Sequence, residues 1–100
     1  MIKNFYLHIK YNNIKKILEE FDHNDIYDLF EENGISAYET FIGDISLFTF
    51  KEENINFFLD IAEYVTSNSY IVYTLDNLSD IRVDFVNGGF GIRYPFIEEI

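Results

Sequence analysis

The sequence contains no cysteine and no tryptophan, a single proline, and only 7 basic side chains against 18 acidic ones. The absence of cysteine excludes disulfides, thiolate metal sites and cysteine nucleophiles. No apolar run approaches the roughly 18 residues that a membrane-spanning helix needs. The first residues lack the uninterrupted apolar core and the small-residue cleavage site of a signal peptide. We therefore expect a cytoplasmic protein that does not contact a membrane.

The shortage of basic residues gives the chain a formal charge of −11 and a pI near 4.3. Sites for DNA, RNA or anionic lipid use lysine and arginine against phosphate groups, so we expect no direct binding of nucleic acid. The 100 residues are 48% hydrophobic and 19% aromatic, which is too apolar for an acidic disordered tail. A chain of this length is expected to form a single domain over residues 1–100.

The charge is distributed unevenly along the chain. Residues 1–16 carry four lysines and no acid, residues 17–50 carry nine acids and no base, and residues 51–100 have a net charge of −6. The densest run places seven carboxylates within fourteen residues: Glu19, Glu20, Asp22, Asp25, Asp28, Glu31 and Glu32. These charges repel one another, so apolar residues between them must hold the segment in place.

The first third of the chain predicts a strand followed by a broken helix. Apolar residues alternate over residues 3–11, as in a half-buried strand. Asn12-Asn13 is a candidate N-cap for a helix whose apolar stripe consists of Ile14, Ile17, Leu18 and Phe21. The stripe then shifts around the helix axis, which predicts a break at residues 22–24. A second helix should begin there, capped by Asn24 or Asp22, and end at Asn33-Gly34.

The middle of the chain predicts a hairpin and a second helical segment. Two apolar-rich runs, residues 35–42 and 45–50, are joined by Gly43-Asp44, which suits a type II′ turn. Residues 53–66 have a broad apolar stripe that is typical of a helix packed on a sheet. The stripe is formed by Ile55, Phe58, Leu59, Ala62 and Val65, and is widened by Phe57, Ile61 and Tyr64.

The last third predicts three strands. Residues 70–75 are apolar or aromatic almost throughout, as in a central strand buried on both faces. Ile81, Val83 and Phe85 alternate with charged residues, and Asn87-Gly88-Gly89 predicts a tight turn into a strand over residues 90–94. Pro95 should end the pairing.

These elements predict an α+β fold with one antiparallel sheet and helices on one face. The order β-α(α)-β-β-α-β is that of the ferredoxin-like, or split βαβ, arrangement, and a C-terminal hairpin extends it. Another α+β arrangement with an antiparallel sheet remains the alternative.

No catalytic or cofactor motif stands out, and we expect no enzyme activity, no cofactor and no metal site. His8 and His23 lack the spacing of metal ligands or of a catalytic pair. The stretch 22–25 lacks the spacing of a calcium loop, and helix capping explains it better. The glycine-rich stretch 87–91 contains no base and precedes no helix, so it predicts a turn and not a phosphate loop.

The acidic run over residues 19–32 is the strongest functional signal. Its seven carboxylates either form a solvated helix face or a surface that docks on a basic partner, where they stand in for phosphates. Tyr27 and Tyr38 lie inside and beside the run, and tyrosines are common interface anchors. We interpret the run and both tyrosines as the binding site of an inhibitor. Its partner would be a larger basic protein, such as a nuclease or a nucleoprotein complex, and the chain itself a monomer or homodimer.

In length, acidity and absence of cysteine, the chain is similar in type to the anti-CRISPR and anti-restriction proteins of phages and to the immunity proteins of nuclease toxins. No motif in the chain matches either group. Two alternatives stay open. One is a ferredoxin-like regulatory or oligomeric module that binds a partner or small ligand through its sheet. The other is an enzyme that pairs a carboxylate with His8 or His23.

Overall fold

The computed structural model describes residues 1–41, 44–49 and 54–97 of the chain. It confirms a small α+β fold that combines helices with antiparallel strands. Along the chain the elements are β1 (Ile2–His8), α1 (Tyr11–Glu20), α2 (Ile26–Glu32), β2 (Ile35–Phe41), β3 (Asp44–Thr49), α3 (Asn56–Asp60), a 3₁₀ turn (Ala62–Tyr64), β4 (Tyr70–Thr74), β5 (Asp80–Val86) and β6 (Gly89–Arg93).

Four strands, in the order β1-β4-β5-β6, form an antiparallel sheet. The β2–β3 hairpin continues this order on the other side of β1, but among the described residues two pairs join it, Leu7↔Ile45 and His8↔Asp44. β2 pairs with β3 and lies outside the four-stranded sheet. The hairpin is therefore attached to the sheet at one end of β1 only.

The core lies between the sheet and the helices. The sheet contributes Leu7, Ile71, Val83 and Phe85, all of which are buried. An aromatic cluster joins the helical elements, with the rings of Phe30 and Phe57 at 5.1 Å between centroids in an edge-to-face arrangement. This cluster packs α2 against α3, so the part of the acidic run that lies on α2 is supported by the core.

The predicted break between the first two helices is confirmed, but the predicted caps are wrong. α1 begins at Tyr11 after Lys10, and the Asn13 side chain instead donates to the carbonyl oxygen of Tyr64 at 3.1 Å. Asp25 caps α2, because its extended backbone lets the carboxylate accept a hydrogen bond from the Tyr27 N–H at 2.8 Å. The predicted end of the second helix is confirmed, with Asn33 as C-cap and Gly34 at a φ of 81°.

The helix predicted over residues 53–66 is shorter and less regular than expected. α3 spans five residues, and after Ile61 the chain tightens into the 3₁₀ turn. The start predicted at residue 53 lies outside the described residues. Phe57 and Ile61, expected at the margin of the stripe, are fully buried, whereas Ile55 and Leu59 are half-buried. The reason is that α3 packs against α2 as well as the sheet, so its buried face is turned toward both.

The predicted strands at the end of the chain are confirmed within one or two residues. β4 lies between β1 and β5, and its Ile71 and Val72 are buried on opposite faces. Asn87 and Gly88 both have positive φ, 51° and 77°, as a tight two-residue hairpin turn requires. In the other hairpin, Asp44 belongs to β3, and the predicted type II′ turn reaches residues 42 and 43, which lie outside the described residues.

Candidate functional site

We call the seven carboxylates over residues 19–32 the acidic surface. Every one of them is exposed, on α1, on α2 or in the turn between these helices. In the described ranges 1–41, 44–49 and 54–97, no lysine or arginine forms an ion pair with any of them. Their one ionic contact is between Glu32 Oε2 and His23 Nε2, at 2.9 Å. The cations nearest to this surface along the chain are Lys15 and Lys16, one helical turn before Glu19 and Glu20 on α1, and neither forms an ion pair with it.

Apolar burial beneath the acidic surface offsets the repulsion between its charges. Ile17 on α1 and three residues of α2, Ile26, Leu29 and Phe30, are buried. Burial of one such side chain contributes about 1.5–3 kcal/mol, whereas a like-charge pair one helical turn apart costs a few tenths of a kcal/mol. The free energy gained by this burial therefore exceeds the repulsion between the exposed carboxylates, and both helices stay folded.

Three members of the acidic surface have local contacts. Asp25 caps α2, Glu32 contacts His23, and Glu20 interacts with the Tyr64 hydroxyl. The interaction with Glu20, together with burial and Glu63, raises the pKa of Tyr64 to about 12. The side chains of the other four, Glu19, Asp22, Asp28 and Glu31, make no hydrogen bond or ion pair with another described residue. These four carboxylates therefore have no such contact to break before they meet a partner.

The two tyrosines of the predicted site differ in exposure. Tyr38 on β2 is half exposed, whereas Tyr27 is half-buried and packs against the core. Burial is the largest of the effects that raise the pKa of Tyr27, followed by the charges of Glu39 and Asp25. Tyr27 therefore offers an edge of its ring to solvent and anchors α2 with the remainder.

The sequence interpretation missed Tyr11 and Glu39, which adjoin the acidic surface. The Tyr11 hydroxyl donates to Glu39 Oε1 at 3.1 Å, and this contact raises the pKa of Tyr11. Tyr11 is half exposed. Its position in the alternating run 3–11 concealed it, because that pattern placed it in a strand and not at the start of α1.

His8 and Asp44 meet where the β2–β3 hairpin joins β1. Asp44 Oδ1 contacts Nδ1 of His8 and also lies 3.4 Å from the Tyr6 hydroxyl that donates to it. The chain around His8 is fixed by buried Ser69, whose Oγ accepts from the His8 backbone N–H at 3.1 Å. Among the described residues, no serine or threonine hydroxyl lies within hydrogen-bond distance of either imidazole, and no three potential ligands form a metal-ion group.

Both arginines pair with the same carboxylate, that of Asp84, on the sheet. Arg82 Nε lies 2.8 Å from Asp84 Oδ1, and Arg93 Nη2 lies 2.9 Å from Asp84 Oδ2. Partial burial by itself would raise the pKa of Asp84, but hydrogen bonds and charge from both arginines outweigh it and hold the pKa below its usual value. The Arg82 guanidinium also stacks over the Tyr70 ring, 4.1 Å from its centroid. These two cations therefore pair with Asp84 and not with the acidic surface.

Asp80 forms a further ion pair on the same sheet. Its carboxylate accepts hydrogen bonds from Lys3 Nζ at 2.8 Å and from the Thr74 hydroxyl at 2.9 Å, and both lower the pKa of Asp80. The pair ties the start of β1 to β5.

No protein-family model, no curated protein and no solved structure matches the chain. In the described part of the chain, no helix has the length and apolar character needed to cross a membrane.

Proposed function

We propose that this chain is a small acidic inhibitor that docks its acidic surface on a larger basic protein, most suitably a nuclease or nucleoprotein complex. One observation carries the proposal. The acidic surface presents seven exposed carboxylates with no lysine or arginine paired to them in the described residues. A surface whose carboxylates have no paired lysine or arginine suits a partner that supplies these cations itself.

Carboxylates repeated along two short helices resemble the phosphates of a nucleic-acid backbone in charge and spacing. A basic cleft that binds nucleic acid would attract them over a long range, and the bound inhibitor would then block the cleft sterically. Tyr38 and the solvent edge of Tyr27 would supply the apolar anchors that fix the register. Tyr11, half exposed beside Glu39, extends the same patch.

We also infer that the fold has the ferredoxin-like order. In its favour, β1 pairs with both β3 and β4, a helical segment follows β1, and another follows β3. On this interpretation the β5–β6 hairpin is an addition at one edge of the sheet. The acidic surface would then lie on the first crossover connection.

The test replaces three carboxylates by their neutral isosteres. The variant Glu19→Gln, Asp28→Asn, Glu31→Gln removes three charges without removing a side-chain hydrogen bond or ion pair between described residues. We expect at least a tenfold weaker complex, which corresponds to about 1.4 kcal/mol, and a flatter salt dependence of the association rate. Partners captured from host lysate by immobilised wild type are identified first, and their affinities are then measured by surface plasmon resonance.

The matched control is Asp60→Asn, Glu63→Gln, Asp76→Asn, which removes the same charge from exposed positions outside the acidic surface. It should capture the same partner with nearly wild-type affinity. Equal losses in both variants would show that only net charge matters, and an unchanged affinity in the first would overturn the proposal.

A second candidate is a regulatory or oligomeric module that acts through its sheet. The observation in its favour is the outer edge of β6, which no described residue pairs.

A further inference from the structure

β6 is the last strand of the sheet, and its backbone is hydrogen-bonded on one side only within the described residues. It pairs with β5 from Val86↔Gly89 to Arg82↔Arg93. In a two-residue hairpin the pair that closes the loop exchanges both hydrogen bonds, and bonded and non-bonded pairs then alternate. Phe90 and Ile92 consequently point their N–H and C=O groups outward.

The outer edge of β6 lacks the usual protection against strand pairing. Edge strands in soluble proteins generally carry lysine, an internal proline or a bulge. The β6 sequence Gly-Phe-Gly-Ile-Arg has no lysine and no proline, and its register with β5 runs without a shift. Its one charged side chain, that of Arg93, lies at the end of the strand and is paired with Asp84. Phe90 is 45% exposed and Ile92 48% exposed, and both lie on the same side of the strand.

Charge indicates what kind of partner this edge accepts. Two copies of a chain with a charge of −11 repel each other almost everywhere. β6 itself contains no carboxylate, and Asp84, which lies opposite Gly91 on β5, is paired with both Arg82 and Arg93. The β6 strand therefore brings no carboxylate of its own toward a second copy, in contrast to the acidic surface.

We propose that β6 pairs antiparallel with β6 of a second copy of this chain, about a two-fold axis at Gly91. Phe90 then packs against the partner's Ile92. The outward N–H and C=O groups of these two residues form the hydrogen bonds between the copies. Gly91 forms a non-bonded pair with its own copy, where Cα atoms approach to about 4.5 Å. The four-stranded sheets of both copies then become continuous.

The dimer is expected to be weak. Five-residue strands paired edge to edge bury less than the roughly 1,600 Å² of a stable complex. The two negative chains also repel at low ionic strength, so added salt should strengthen the dimer. This salt response is opposite to that expected for docking of the acidic surface, so the two proposals can fail independently.

The oligomeric state tests the proposal. Sedimentation equilibrium of the wild type across a wide concentration range should show a monomer–dimer equilibrium. Ile92→Lys places a charge at the outward edge and should give a monomer. Val86→Lys makes the same change at a comparably exposed apolar position, 53% against 48%, on a strand paired on both sides, and should still dimerise. Circular dichroism checks that both variants are folded.

Cysteine cross-linking tests the register, since the chain has no cysteine of its own. A Cβ at Gly91 meets nothing within 4 Å, so Gly91→Cys is accommodated. It should form an intermolecular disulfide under mild oxidation much faster than the control Val86→Cys. A wild type that is monomeric at every concentration overturns the proposal. So does an Ile92→Lys dimer as stable as the wild type, or equal cross-linking of the two cysteine variants.

Discussion

Asp25 has two separable properties within the acidic surface. Its carboxylate carries one of the seven negative charges, and the same oxygen accepts the hydrogen bond that caps α2. Asp25 therefore contributes both to the stability of α2 and to the charge that a partner would meet. Suitable substitutions can separate these two contributions.

We predict that Asp25→Ala lowers the free energy of unfolding by about 1 kcal/mol, because it removes the N-cap of α2. Asp25→Asn keeps an oxygen that can accept from the Tyr27 N–H, so its stability should stay within a few tenths of a kcal/mol of the wild type. Urea denaturation measures both. Equal stability of all three proteins would contradict the capping role of Asp25.

The β5–β6 hairpin shows how much one turn conformation contributes at the scale of an element. A Cβ at Gly88 would lie an ordinary 3.9 Å from the Glu63 carbonyl oxygen, so space is not limiting there. The φ of 77° is limiting, because a side chain disfavours the left-handed region.

We predict that Gly88→Ala destabilises the protein by about 1–2 kcal/mol through backbone strain alone. Gly91→Ala is the matched control, because Gly91 has open space and no positive φ. In dilute solution it should leave stability unchanged or raise it slightly, since alanine restricts the unfolded chain. If thermal unfolding gives the two variants the same midpoint, the turn is not strained in the way described.

The elements that the sequence predicted well are those whose signal is local. Alternation in β5 and the Asn87-Gly88 turn depend on neighbouring residues, and the structure has both. Caps and helix limits depend on packing at a distance. Asn13 was expected to cap α1 but instead hydrogen-bonds Tyr64, 51 positions away, and α3 turns its buried face toward an aromatic cluster that no periodicity in its own segment encodes.

At the scale of the whole molecule, the paired arginines and the acidic surface lie on different elements. The described arginines are paired with Asp84 on the sheet, and the acidic surface has no such compensation in the described residues. The sequence located the carboxylates of the candidate site, because solvated acids on helices are evident from spacing. It did not show that both arginines pair with Asp84, because Arg93 meets Asp84 only through the β5–β6 register.

We predict that added sodium chloride raises the free energy of unfolding of the wild type by about 1 kcal/mol, since several like-charge pairs one turn apart are screened. The variant Glu19→Gln, Asp28→Asn, Glu31→Gln should respond less, because part of the repulsion is already gone. Urea denaturation at low and high salt checks this. The same salt response in both proteins would place the repulsion outside the acidic surface.

The attachment of the β2–β3 hairpin by two residue pairs has a consequence for cooperativity. α2 packs on β2, whereas β4 is enclosed by strands on both sides. We call the junction at His8 and Asp44 the seam, because few backbone hydrogen bonds between described residues cross it. A fluctuation can open that seam while the four-stranded sheet keeps its ladders. Part of the acidic surface lies on α2, which packs on the less firmly joined hairpin. There a change of shape to fit a partner should cost the least free energy.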